Sequence, residues 1–170
     1  MVCDRVFRAA PAGGAALKPT RKTILVLDIE RIFYGQVKSI ANLDSNQAQL
    51  GANNGPGFGW HDITALKTGI NYKVTSSLTL RGGCNHSGVP FDSSQTFFNL
   101  LAPAVVQHHL TAGATLALSN GKEVNVAYQH AFQNTVNGAN SIAPAFGGGE
   151  ANLEMYQNAI GVSFGWGGKE

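Results

Sequence analysis

Charge is scarce in this sequence: aspartate, glutamate, lysine and arginine make up 13% of its 170 residues, against roughly 25% in soluble domains. The formal net charge is only +2, and the few basic residues do not gather on one segment, so a nucleic-acid partner is not expected. Long apolar runs are missing as well. None approaches the roughly 18 residues of a membrane helix, which excludes helical spanning and nothing more, because a transmembrane strand carries its apolar residues at every second position. Cysteine is nearly absent: Cys3 and Cys84 stand far apart and match no metal or redox spacing, so both read as incidental. The opening stretch MVCDRVFRAAPAGGAALKPT lacks the apolar segment of a secretory signal. Residues 1–22 are therefore expected to be a disordered or foreign leader outside the fold, with a fold at 23–166 and a tail at 167–170.

Glycine is plentiful, with 21 in the chain, well above the usual share of roughly 7%. The stretch LTAGATLALSNGKEVNVAYQH at 110–130 reads as a β-hairpin turning at Asn120-Gly121, a pair that tolerates the positive φ angles of a two-residue turn. One face carries Leu110, Ala112, Ala114, Leu116, Val124, Val126 and Tyr128; the other carries Thr111, Gly113, Thr115, Asn125, Ala127 and Gln129. The second face is polar yet almost uncharged, unlike the wet face of a soluble sheet.

Period-two patterning gives six strands, at about 24–36, 60–74, 77–87, 107–119, 122–134 and 151–166. Short connections at Thr75-Ser76 and Asn120-Gly121 alternate with long ones at 37–59, 88–106 and 135–150. Loop length is thus sorted by end of the sheet, as in outer-membrane barrels with short periplasmic turns and longer outer loops. Several strands exceed the usual five or six residues and reach the roughly ten that a tilted membrane strand needs. Phe33, Trp60, Phe132 and Tyr156 are expected in an outer aromatic girdle, and Tyr72, Phe164 and Trp166 in an inner one. Arg31, Thr64, Thr68 and Asn158 break the apolar parity, and an Arg there must lie near the interface, because at the midplane it costs roughly 2 to 4 kcal/mol. The fold class is all-β, an antiparallel up-and-down transmembrane β-barrel wall of about six strands, too few to close alone. A soluble β-sandwich, whose inner faces also alternate, is the other reading of the same pattern.

Neither a metal centre nor an enzyme is expected. His108 and His109 are adjacent and so leave a strand on opposite faces, while His61, His86 and His130 fall near strand ends as rim residues. Ser87, the serine beside His86, would point away from it on a strand. No cofactor is implied.

The words NGPGFGWHD at 54–62, SLTLRGGCNHSGVP at 77–90, FFNLLAPAVVQHHLTAGATLAL at 97–118, HAFQNTVNG at 130–138 and AFGGGEANLEMYQNAIGVSFGW at 145–166 resemble the long-chain fatty-acid transporter family, FadL type, which includes aromatic-hydrocarbon importers. The likeness covers residues 27–166 and maps onto the C-terminal part of the family. It implies a barrel of about fourteen strands with an N-terminal hatch, located in the bacterial outer membrane, passing hydrophobic compounds inward by passive diffusion. Signal peptide, hatch and N-terminal strands have no counterpart here, so the chain is expected to be a fragment of such a transporter, inactive alone. Its partners would be long-chain fatty acids or aromatic hydrocarbons, outer-membrane lipid, and either the missing strands and hatch or a second sheet edge.

Candidate substrate-binding residues follow in two groups. Lys67, Asn71, Arg81 and Asn85 lie on the polar parity of the second and third strands. Lys67 and Arg81, with Lys73, could meet a fatty-acid carboxylate or neutralise Asp28, Glu30 and Glu123 across the wall. Phe97, Phe98, Leu100 and Leu101 lie in a long outer loop, where they could capture a greasy substrate or pack the loop onto the barrel mouth.

Overall fold

The computed structural model describes residues 11–166. They form one antiparallel sheet of seven strands in sequential order: β1 (Ala12–Thr20), β2 (Thr23–Ile32), β3 (Ile63–Lys73), β4 (Leu78–Ser87), β5 (His108–Ala117), β6 (Lys122–Val136) and β7 (Leu153–Trp166). Six of these are the strands read from periodicity. Asn120 and Gly121 both have positive φ, 63° and 68°, as the right-handed twist of a tight hairpin demands. At the β3–β4 turn the Thr75 hydroxyl accepts from the amides of Ser77 and Leu78, which closes the connection without glycine.

The sandwich reading is overturned. All seven strands share one sheet, and no second layer covers the apolar rows among the described residues. Leu80, Leu110, Leu116 and Val126 are 44% to 53% exposed. Within the wall, the buried residues Ala65, Thr115 and Ala131 lie instead on the small and polar parity, and the buried Leu153 stands at the loop-side end of β7. A soluble monomer rarely exposes a continuous apolar patch beyond a few hundred Å², so this inside-out distribution requires hydrocarbon against the outward face.

Two expectations need correction. Part of the supposed leader is a strand: β1 pairs antiparallel with β2 in a register that sets Ala12 opposite Glu30 and Leu17 opposite Leu25. Residues 1–10 and 167–170 lie outside the described residues. The sequence AGGAALKPT carries no apolar alternation, and its pairing follows from the unsatisfied backbone edge that β2 presents. A Cβ at Gly14 would run into the Asp28 carboxylate, so a larger residue there must swing that side chain aside. Trp60 is the second correction. It leaves the lipid-facing girdle for the loops, since β3 begins only at Ile63 and strand parity does not extend back to it.

The three long connections gather over one end of the sheet, and the only apolar core among the described residues forms where they meet the loop-side ends of β6 and β7. Phe91, Val105 and Leu153 form its centre, with Trp60, Val89, Ala104, Val136 and Met155 around it. Asn99 and Thr96 are fully buried beside it.

Candidate functional site

The inward face carries its polar groups in two tiers. Nearer the turns, Arg81 donates to the Thr115 hydroxyl, Thr115 to Asn125 Oδ1, and Asn125 to Glu123 Oε1 at 3.2 Å. These four residues come from β4, β5 and β6, brought side by side by the register. Asn71 is the partner of Arg81 across β3 and β4. Nearer the loops, Lys67 Nζ lies 2.7 Å from Glu30 Oε2, a charge-assisted contact between neighbouring strands. Asn85 Nδ2 lies 3.3 Å from His109 Nδ1, while Asn85 Oδ1 is buried without a partner.

The upper tier forms the floor of a cavity of about 290 Å³. Glu30, Lys67 and Asn85 line its base; Ile32, Ile63, Ala65, Ala104 and Val106 line its sides; Tyr34 and Trp60 stand at its edge. The two aromatic rings meet edge to face, centroids 4.9 Å apart at 80°, an arrangement favoured by ring quadrupoles.

Loop contacts hold Trp60 in place. Its Nε1 donates to Asn99 Oδ1 at 2.6 Å, and Asn99 Nδ2 donates to the carbonyls of Phe58 and Gln95, each at 2.8 Å. Gln95 Oε1 accepts the Asp44 amide at 2.9 Å. Burial beneath this loop pushes the Asp44 carboxyl up from its ordinary value, against hydrogen bonds from Ser45 and Gln95 that favour the charged form. Asn134 Nδ2 ties β6 to the Val105 carbonyl at 2.9 Å. The cap is therefore a hydrogen-bonded lid of three connections around a small apolar centre.

Of the residues proposed from sequence, Lys67 and Asn85 line the cavity, while Asn71 and Arg81 share its face farther toward the turns. Phe97 and Phe98 are half-buried in the cap, with Phe97 5.4 Å from the Phe146 ring. Leu100 is 53% exposed and Leu101 84%, so the loop both packs and presents apolar surface. Sequence reasoning missed Tyr34, Trp60 and Asn99, whose convergence depends on loops that no periodicity describes. The cavity offers a neutralised polar floor and apolar walls, suited to holding a small apolar molecule.

The backbone of this sheet recurs in solved transporter structures. The P. putida toluene transporter TodX superposes with a TM-score of 0.60 at 20% identity, over 90% of this chain and 33% of that one. The Ralstonia pickettii toluene transporter TbuX gives 0.55 at 15% identity, over 90% and 32%. A deltaS2 mutant of the TodX monoaromatic hydrocarbon channel gives 0.59 at 23%, over 90% and 34%. This chain carries the barrel-wall fold of the FadL-type hydrocarbon transporters. It spans about a third of the length of each of these relatives, which fits the C-terminal part expected of a FadL-type wall. No protein-family model matches the sequence, and no curated protein matches it significantly.

Proposed function

We propose that this wall belongs to an outer-membrane channel that lets hydrophobic compounds pass inward down their gradient, without catalysis, and that aromatic hydrocarbons suit it better than long-chain fatty acids. The observation carrying the preference is the Lys67–Glu30 contact of 2.7 Å. A fatty-acid carboxylate needs a cation to meet it in a low-dielectric bore, and this ammonium is already neutralised by its neighbour. The toluene transporters of the same fold support the same substrate class. Phe97, Phe98, Leu100 and Leu101 would capture substrate at the rim, while Lys67 and Asn85 below, with Asn71 and Arg81 farther in, would line its path.

Strand direction bears on what completes the wall. With seven strands in sequential antiparallel order, β1 and β7 run the same way, so a second copy inserted in the same orientation would meet these edges in parallel. A complementary wall whose two end strands both run opposite to β1 and β7 satisfies both edges in the antiparallel manner of bacterial barrels. Missing strands of a larger barrel fit this better than self-association.

The test is binding to the chain in detergent, read by the fluorescence of Trp60 in a Trp166→Phe background. Toluene should perturb the emission and oleate should not, whereas Glu30→Gln, which releases Lys67, should add oleate binding. Stronger binding of oleate than of toluene by the unaltered chain, indifferent to Glu30→Gln, would overturn the preference.

A further inference from the structure

A face that met hydrocarbon alone would carry no metal ligands, yet the loop-side margin of the outward face carries His86, His108 and His130. His86 near the end of β4 and His108 at the start of β5 are direct register partners. Both imidazoles therefore leave neighbouring strands on the same side and at the same height. Their rings stack with centroids 4.5 Å apart and planes at 26°. The two Nδ1 atoms are 3.2 Å apart, and both side chains are exposed.

That spacing has a coordination meaning. Imidazole nitrogens bind zinc-type ions at roughly 2.0 to 2.1 Å, so two of them in adjacent positions of a square-planar or tetrahedral shell lie roughly 2.8 to 3.4 Å apart. Two Nδ1 lone pairs facing across such a gap repel each other, and the repulsion is relieved when one nitrogen carries a proton or a cation sits between them. Other side chains nearby are engaged elsewhere. His130 Nδ1 lies 2.8 Å from Asn158 Oδ1, and its ring meets Phe132 edge-on at 4.7 Å. Cys84 Sγ lies 2.9 Å from Thr68 Oγ1. His109, next in sequence to His108, lies on the inward face with Asn85. No third histidine, cysteine or carboxylate completes a metal cluster among the described residues, which leaves the remaining coordination positions to water.

We propose that His86 and His108 form a two-histidine site on the outward face for a divalent transition-metal ion of the Cu²⁺, Ni²⁺ or Zn²⁺ class, the ions that imidazole ligands suit. The sheet fixes both ligands on adjacent strands, so binding orders little that is not already ordered. Protons compete with the ion for the same nitrogens, so acidification weakens binding.

The experiment uses the full chain without a histidine tag, refolded in detergent and titrated with Cu²⁺ at pH 7.5 and pH 5.5. The expected result is one ion per chain at the higher pH, with two-nitrogen superhyperfine structure in its electron paramagnetic resonance spectrum. His86→Ala and His108→Ala should each weaken binding at least about tenfold, His130→Ala should leave it unchanged, and binding should be weaker at pH 5.5 than at pH 7.5. The spectrum of the unaltered chain keeps the test independent of whether a variant folds. One nitrogen or none, or binding that survives in folded His86→Ala and His108→Ala chains, would overturn the proposal.

Discussion

Asn99 shows how much one side chain can organise in a protein with little core. It accepts from Trp60 and donates to two carbonyls of different loop segments, while fully buried. Asn99→Leu leaves an indole N–H and two carbonyls without partners, at about 1 to 3 kcal/mol for each group that stays dry. Limited proteolysis should then cut within 33–62 and 88–107 far faster than in the parent, with the strands still protected. Asp44 gives a prediction with a sign. Its folded pKa is raised by burial, so the native cap holds a proton more tightly than the unfolded chain does. Stability falls as pH rises from the ordinary value of 3.8 through the folded value, and the penalty persists above it. Asp44→Asn should accordingly slow loop proteolysis at neutral pH, with the advantage vanishing near pH 3.8. At this scale Lys67 and Asn85 were legible in the sequence, because strand parity alone assigns them to the inward face. Trp60, Tyr34 and Asn99 were not, because their positions follow from loop closure, which leaves no repeating trace.

Six of the seven strands were legible because lipid on one side and polar surroundings on the other impose a period of two on the side chains. β1 was not: its alanines and glycines pair through backbone alone, with every residue exposed. The outward exceptions found in the sequence also acquire partners. Arg31 donates to Thr64 at 3.0 Å and lies 3.9 Å from Asp62, and Asn158 accepts from Tyr128 at 2.6 Å. Arg31 and Thr64 stand at the loop-side end of their strands, where the bilayer gives way to water. A depth test follows from the same geometry. Val126→Arg, in mid-strand on the outward face, should cost roughly 2 to 4 kcal/mol in a bilayer, whereas Tyr156→Arg, near the loops, should cost about 0 to 1. Urea titration of the chain reconstituted in vesicles measures both, and equal costs would place the two positions in the same medium.

Taken whole, the described residues keep their one apolar core at the loop end of the sheet, between the long connections and the ends of β6 and β7, and turn their longest apolar rows outward. The described sheet is open, its two edges unpaired with each other, as a segment of a larger barrel would be, since bacterial barrels remove edges by closure. The most direct test is a nitroxide scan of β6 from Val124 to Gln129 in lipid vesicles, comparing collision with oxygen against collision with a water-soluble nickel chelate. Labels at Val124, Val126 and Tyr128 should favour oxygen, and labels at Asn125, Ala127 and Gln129 the chelate, with a period of two residues. Uniform accessibility along the strand, or the opposite phase, would contradict a wall whose leucine and valine rows face hydrocarbon.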